Sequence, residues 1–129
     1  MAQFYQHFDY TFEMEKQSLI VENFLQNPHF GSLWLIIFEE KIVGYLALTY
    51  GFTFEFGGKD AFIDELFVEE NYRNKGLGAE AICFIQSKMT DLGLNALHLQ
   101  VEKYNQNAYK LYENLDFKDL KRETMTFHA

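Results

Sequence analysis

Hydrophobic positions along this chain recur with two different periods, and the switches between them mark out the elements. From Glu13 to Gln26, Ile20, Val21, Phe24 and Leu25 fall at helical spacing. That helix should stop before Asn27-Pro28, because the residue preceding a proline is pushed out of the helical region. Ser32 to Phe38 is short and rich in aromatic and β-branched residues, which predicts a buried strand. Glu39-Glu40-Lys41 reads as a turn, and Ile42 to Phe54 as a second strand with Gly44 as a candidate bulge. These two strands are expected to pair as an antiparallel hairpin. After a turn at Phe56-Gly57-Gly58-Lys59-Asp60, Ala61 to Val68 reads as the third strand of the meander.

The second half of the chain alternates helix and strand. Gly76 to Thr90 carries Leu77, Ala81, Phe84, Ile85 and Met89 on one helical face, and Gly93 stands where helices commonly end. Asn95 to Val101 reads as a strand. Asn105 to Leu115 reads as a helix with Ala108, Leu111, Tyr112 and Leu115 on one face, and Phe117–Leu120 and Thr124–His128 as two short final strands. Strands that flank a crossover helix tend to be parallel and adjacent, so Ala61–Val68 and Asn95–Val101 should lie side by side. The fold class is therefore α/β: a mixed, mostly antiparallel central sheet with flanking helices, in a single domain over residues 1–129.

Composition narrows the functional classes. A chain of 129 residues with 48% apolar and 18% aromatic side chains can build a core and is not a disordered segment. The single Cys83 allows no intramolecular disulfide and no cysteine-cluster metal site, and its place in a helix predicts a buried structural thiol. His7, His29, His98 and His128 show no metal-ligand spacing, so no metal is expected, and His98 reads as a structural residue of a strand. No apolar run approaches the roughly 18 residues of a membrane span, and Met1-Ala2-Gln3-Phe4 does not open like a secretion signal. A cytoplasmic protein with no membrane partner is expected. A formal net charge of −8 disfavours a nucleic-acid binder. The acidic surface either serves solubility alone or attracts a cationic substrate.

The chemistry-bearing stretch is Phe62 to Ile85: strand, charged loop, then a helix that opens on Gly76-Leu77-Gly78. Glycines at a helix start let a ligand approach the backbone, and the free N–H groups of the first turn attract an anion. Gly76-Leu77-Gly78-Ala79-Glu80-Ala81 fits the dinucleotide pattern, and Glu102 ends the next strand where a ribose-binding acid would sit. That reading, an NAD-dependent oxidoreductase, has three difficulties. Seven residues separate Val68 from Gly76; they include Arg73 and Lys75, which a dinucleotide turn does not need; and too little chain follows for a doubly wound sheet.

Arg73, Gly76 and Gly78, directly after Leu66-Phe67-Val68, resemble the acetyl-coenzyme A loop of the Gcn5-related N-acetyltransferase (GNAT) family. The resemblance continues through Asn105, Ala108, Leu111-Tyr112 and Asp116-Phe117, and it covers roughly residues 32–117. Two departures stand out. Asp116 replaces the family's usual glycine, and Met1 to Thr11 is weak evidence for the family's opening strand, which is expected to be missing or shortened.

The resemblance implies that the two parallel strands splay apart and admit the pantetheine arm. The backbone of Leu66, Phe67 and Val68 would then pair with that arm and polarise the thioester. The amides of Asn74, Lys75, Gly76, Leu77, Gly78 and Ala79 would bind the pyrophosphate, with Arg73 adding charge. Asn105 and Ala108 would contact the cofactor, although Asn105 equally suits a helix N-cap. Tyr112 matches the family's thiolate-protonating tyrosine. By the same resemblance Asp64 stands where some polyamine-acetylating members carry their base, with Glu65 as second choice. Neighbours on a strand point to opposite faces, so only one of the two should face the reacting centre unless a bulge intervenes. Either carboxylate could instead be a counter-charge, with water as base.

The implied activity is acetyl transfer from acetyl-coenzyme A to a primary amine, by direct attack in a ternary complex. The acidic balance favours a small cationic amine, in the manner of polyamine acetyltransferases. A protein N-terminus or lysine as acceptor, and an acyl-coenzyme A binding module without turnover, stay open. A homodimer is expected from the aromatic strands and family habit.

Overall fold

The computed structural model describes residues 14–129. In chain order it contains α1 (Met14–Gln26), β1 (Gly31–Phe38), β2 (Lys41–Thr53), β3 (Gly58–Val68), a short 3-10 turn (Glu70–Tyr72), α2 (Leu77–Leu92), β4 (Ala96–His98) and α3 (Gln106–Asn114). The four strands form one sheet in the order β1-β2-β3-β4. β1–β2 and β2–β3 are antiparallel and β3–β4 is parallel, as the crossover through α2 requires. The opening strand in question falls within residues 1–13 and lies outside the described residues.

The meander is built tightly at its first turn. Glu39 and Glu40 both take positive φ, 50° and 67°, the geometry of a two-residue hairpin turn. Two bulges then bend the sheet. Ile36 faces Gly44 while Ile37 faces Ile42, so the extra residue is Val43 rather than the neighbouring Gly44. Val43 is fully buried, and its carbonyl accepts from the Glu69 amide at 2.7 Å, which carries the pairing past the end of β3. In the second bulge Ala47 faces Glu65 while Leu48 faces Ile63, leaving Asp64 as the extra residue on β3.

The core lies where α2 covers one face of the sheet. Leu46, Leu48, Ala61, Ile82, Ile85 and Leu94 form the buried cluster, with Ile63, Leu66, Leu97, Tyr112 and Phe117 packed against it. α2 presents Ile82 and Ile85 to the sheet and ends at Gly93, whose left-handed φ of 70° lets its amide reach back to Met89 and Thr90. Gln86 Nε2 donates to the Leu115 carbonyl at 2.7 Å and ties α2 to the exit of α3.

Several expectations are corrected. Cys83 is exposed, because Ile82 and Ile85 turn the helix so that the next position faces away from the sheet. Phe84 is partly exposed as well, though its ring meets Trp34 edge-on at 5.4 Å. β1 is only half-buried, with Leu35 and Ile37 open to solvent on alternate positions. β4 stops at His98, since residues 99–101 diverge from β3 and find no ladder partner. The two final strands do not form among residues 117–128. That segment is held by side chains instead: Arg122 makes a two-pronged pair with Glu55 at 2.6 Å, and Lys103 meets Glu123 at 3.0 Å.

Candidate active site

The parallel pair is the feature from which the site grows. β3 and β4 are joined only over Asp60–Ala96, Ala61–Leu97 and Phe62–His98. Beyond Phe62, β3 runs on to Val68 with β2 on one side and, among the described residues, no strand on the other. On that second side, among the described residues, β3 pairs with no strand beyond Phe62, and an extended ligand can add beside a strand as a further strand would.

At the end of that edge the chain makes the charged loop. Asn74 and Gly76 both take left-handed φ, 63° and 78°, and Gly76 is the N-cap of α2 without a side chain to cap it. Among the described residues no carbonyl accepts from the amides of Gly76, Leu77, Gly78 and Ala79. These are the orphan donors of a helix start, gathered at its positive end. A Cβ placed on Gly78 would meet only Leu66 Cδ2, at an ordinary 3.7 Å. The protein's own packing thus does not require glycine there.

Arg73 folds back on the strand. Its Nε donates to the Val68 carbonyl at 2.8 Å and its guanidinium lies 5.5 Å from the Phe67 ring centre. The Nε bond ties the loop back to the end of β3. Lys75 reaches toward Phe38, 6.0 Å from the ring centre.

The bulge at Asp64 decides the acidic pair. Ile63 and Leu66 both pack on the α2 face, so Asp64 and Glu65 between them share the opposite face. The simple alternation that would have separated the two does not hold. Their environments differ: Asp64 is exposed, whereas Glu65 is 8% exposed and accepts a 2.7 Å hydrogen bond from the Tyr45 hydroxyl.

Tyr112 lies on α3, packed against the core cluster on the α2 side and edge-on to Phe117 at 6.1 Å. Burial pushes its phenol above the ordinary value near 10. The hydroxyl has no hydrogen bond to a described residue and is not sealed from solvent. Asn105 caps α3, accepting from the Ala108 amide at 3.2 Å. Asp116 takes a φ of 71°, the left-handed turn a glycine would otherwise occupy, and lets the Phe117 amide return to the Tyr112 carbonyl. The structure thus brings the loop and the acidic pair to β3, and sets Tyr112 on the other side of the sheet from that pair. Sequence reasoning missed Asp60 and His98 as a linked pair. The alternating Asp60-x-Phe62 before the loop was its only trace.

A meander whose third strand parts from a parallel neighbour, beside a glycine-opened helix, defines the acyl-coenzyme A N-acyltransferase class of fold. Residues 1–117 match the model of the acetyltransferase (GNAT) family, and the chain belongs to that family. It is 34% identical over 96 residues to the uncharacterised N-acetyltransferase YycN of Bacillus subtilis (strain 168), covering 74% of this chain and 60% of that protein. It is 26% identical over 115 residues to the thialysine N-epsilon-acetyltransferase of Sus scrofa, covering 84% of this chain and 67% of the relative. Among solved structures it is similar to an integron cassette protein, HFX_CASS3, from the mobile metagenome of Cole Harbour Salt Marsh. The TM-score is 0.85 at 31% identity, over 98% of this chain and 78% of that one. Among the described residues a meander with one parallel strand pair stands where an NAD-dependent oxidoreductase of the dinucleotide type would need a doubly wound sheet.

Proposed function

We propose that this chain transfers an acetyl group from acetyl-coenzyme A to the primary amine of a small cationic molecule, in a ternary complex. The observation that carries this reading is the run of amides at Gly76–Ala79, which no described carbonyl accepts from, standing at the end of β3 after it has parted from β4. Acetyl-coenzyme A supplies an activated acyl thioester; everything else is asked of the chain's own residues. The amides from Asn74 to Ala79 and the Arg73 guanidinium take the pyrophosphate, where charge-assisted bonds are strongest. The backbone of Leu66, Phe67 and Val68 aligns the pantetheine arm and donates toward the thioester oxygen as charge develops there. Asn105 and Ala108, at the start of α3, line the opposite side of the gap.

Asp64 and Glu65 meet the incoming amine on the face opposite α2. Asp64, exposed, supplies the counter-charge for an ammonium. Glu65, held by Tyr45, fixes the negative field behind it. Tyr112, on the other side of the gap, keeps its proton across the neutral range and gives it to the leaving thiolate. The lean toward a small amine is supported by the net charge of −8 and by the name of the Sus scrofa relative, whose acceptor is an amino acid amine. A protein N-terminus or lysine is the second acceptor class.

The test is free-thiol release from acetyl-coenzyme A with thialysine, lysine, polyamines, aminoglycosides and N-terminal peptides as acceptors, alongside thermal stabilisation by the cofactor. Turnover with the small amines is expected. Turnover only with peptides would move the acceptor class. Stabilisation with no turnover on any amine would leave a binding module, and no stabilisation would remove the cofactor reading.

A further inference from the structure

The last paired rung of the parallel strands holds a side-chain cluster that the reaction above does not use. His98 Nε2 lies 3.0 Å from Asp60 Oδ2. The same carboxylate oxygen accepts from Thr53 Oγ1 at 2.9 Å. The Asp60 side chain is 5% exposed and that of His98 19%. Phe56 and Phe62 flank the imidazole, each with its ring centre 5.0 Å away. The other ring nitrogen, Nδ1, has no hydrogen bond to a described residue and is not sealed from solvent. A buried carboxylate that claims Nε2–H leaves Nδ1 as a lone pair aimed outward.

The place of this pair matters as much as its geometry. Ala61 and Leu97 pack into the core, so Asp60, Phe62 and His98 stand on the opposite face, which is also the face of Asp64 and Glu65. The rung Phe62–His98 is where the strands part. Two residues along β3 bring one to Asp64, roughly 7 Å at about 3.3 Å per residue. His98 lies one strand over from Phe62, so an amine drawn to Asp64 would reach its ring through bridging water. The other charged groups near the ring are Glu55, which feels the charge of His98, and Arg122, paired with Glu55.

We infer that His98, oriented by Asp60, is the proton acceptor for the substrate amine, with Asp64 as its counter-charge. The inference rests on the acetyltransfer reading and names a base within it. The balance is complete. An ammonium gives one proton to Nδ1, and the freed lone pair forms the C–N bond. The C–S bond breaks and the thiolate takes a proton from Tyr112. The phenol is restored from the second proton on nitrogen, and His98 returns its proton to solvent. Asp60 is a positioning residue, since it acts through the ring.

The experiment compares the wild type with His98→Gln and Asp60→Asn, using acetyl-coenzyme A and the best amine of the panel. His98→Gln should lower kcat/KM by about 100-fold at neutral pH, the scale of one general base. Its rate should then climb with pH as free amine accumulates, while thermal stabilisation by acetyl-coenzyme A stays unchanged. Asp60→Asn should lower kcat more than KM. A second measurement needs no variant to fold: ring nitrogen NMR shifts of labelled wild-type protein should show neutral His98 as the Nε2–H tautomer. Wild-type activity with His98→Gln within a few-fold of it, or His98 as the Nδ1–H tautomer, would overturn the inference and leave the acetyltransfer reading intact. No wild-type turnover with any amine would overturn both.

Discussion

Tyr112 is a packing residue for which we propose a chemical role as well. Its ring is part of the apolar face of α3, and its hydroxyl still reaches solvent. Tyr112→Phe should keep thermal stabilisation by acetyl-coenzyme A and lower kcat by about 100-fold, measured by thiol release. The same residue makes a pH prediction. Burial raises the folded-state pKa above 10, so as pH passes about 10 the unfolded chain loses this proton first and stability falls. The loss is complete once the folded value is passed. Tyr112→Phe should flatten part of that alkaline slope in pH-dependent thermal melts, and only part, because Tyr109 is shifted in the same direction.

The glycine-opened start of α2 separates stability from binding. In Gly78→Ala the new methyl group finds an ordinary contact with Leu66, and alanine is the better helix residue. The apo protein should melt at the same temperature or higher, by up to about 0.5–1 kcal/mol of added stability, while KM for acetyl-coenzyme A rises. A variant that binds as tightly as wild type would show that no ligand approaches this position. At the scale of elements much of the fold was legible. The helical spacing around Phe24, the Glu39-Glu40 turn and the Gly93 stop each follow from local chemistry that needs no partner. What was not legible depends on partners. The Asp64 bulge breaks a period of two without changing any residue type. β4 ends early because its neighbour leaves it, although Leu99 and Val101 are good strand residues. The alternation of Thr124 to His128 has no ladder to join. For the site, the loop was readable because glycine and charge mark it in one dimension. Asp60 and His98 are 38 positions apart and meet only through the parallel pairing.

Across the whole molecule, the C-terminal stretch is attached by exposed ion pairs and few other bonds. Exposed pairs of this kind add little to stability, so Arg122→Ala should barely move Tm. It should nonetheless speed limited proteolysis after residue 117, read by mass spectrometry; an unchanged cleavage rate would mean that the Glu55 pair does not hold the segment. In the proposed reaction the sheet would separate the two reactants. Asp64, Glu65 and His98 stand on one face and Tyr112 on the other, and β3 parts from β4 between them. Separate doors have a kinetic meaning: neither substrate need wait for the other to enter. Initial-rate plots should give intersecting lines, and coenzyme A should compete with acetyl-coenzyme A but not with the amine. Parallel lines would instead indicate an acetylated enzyme, and with it a single shared entrance used twice.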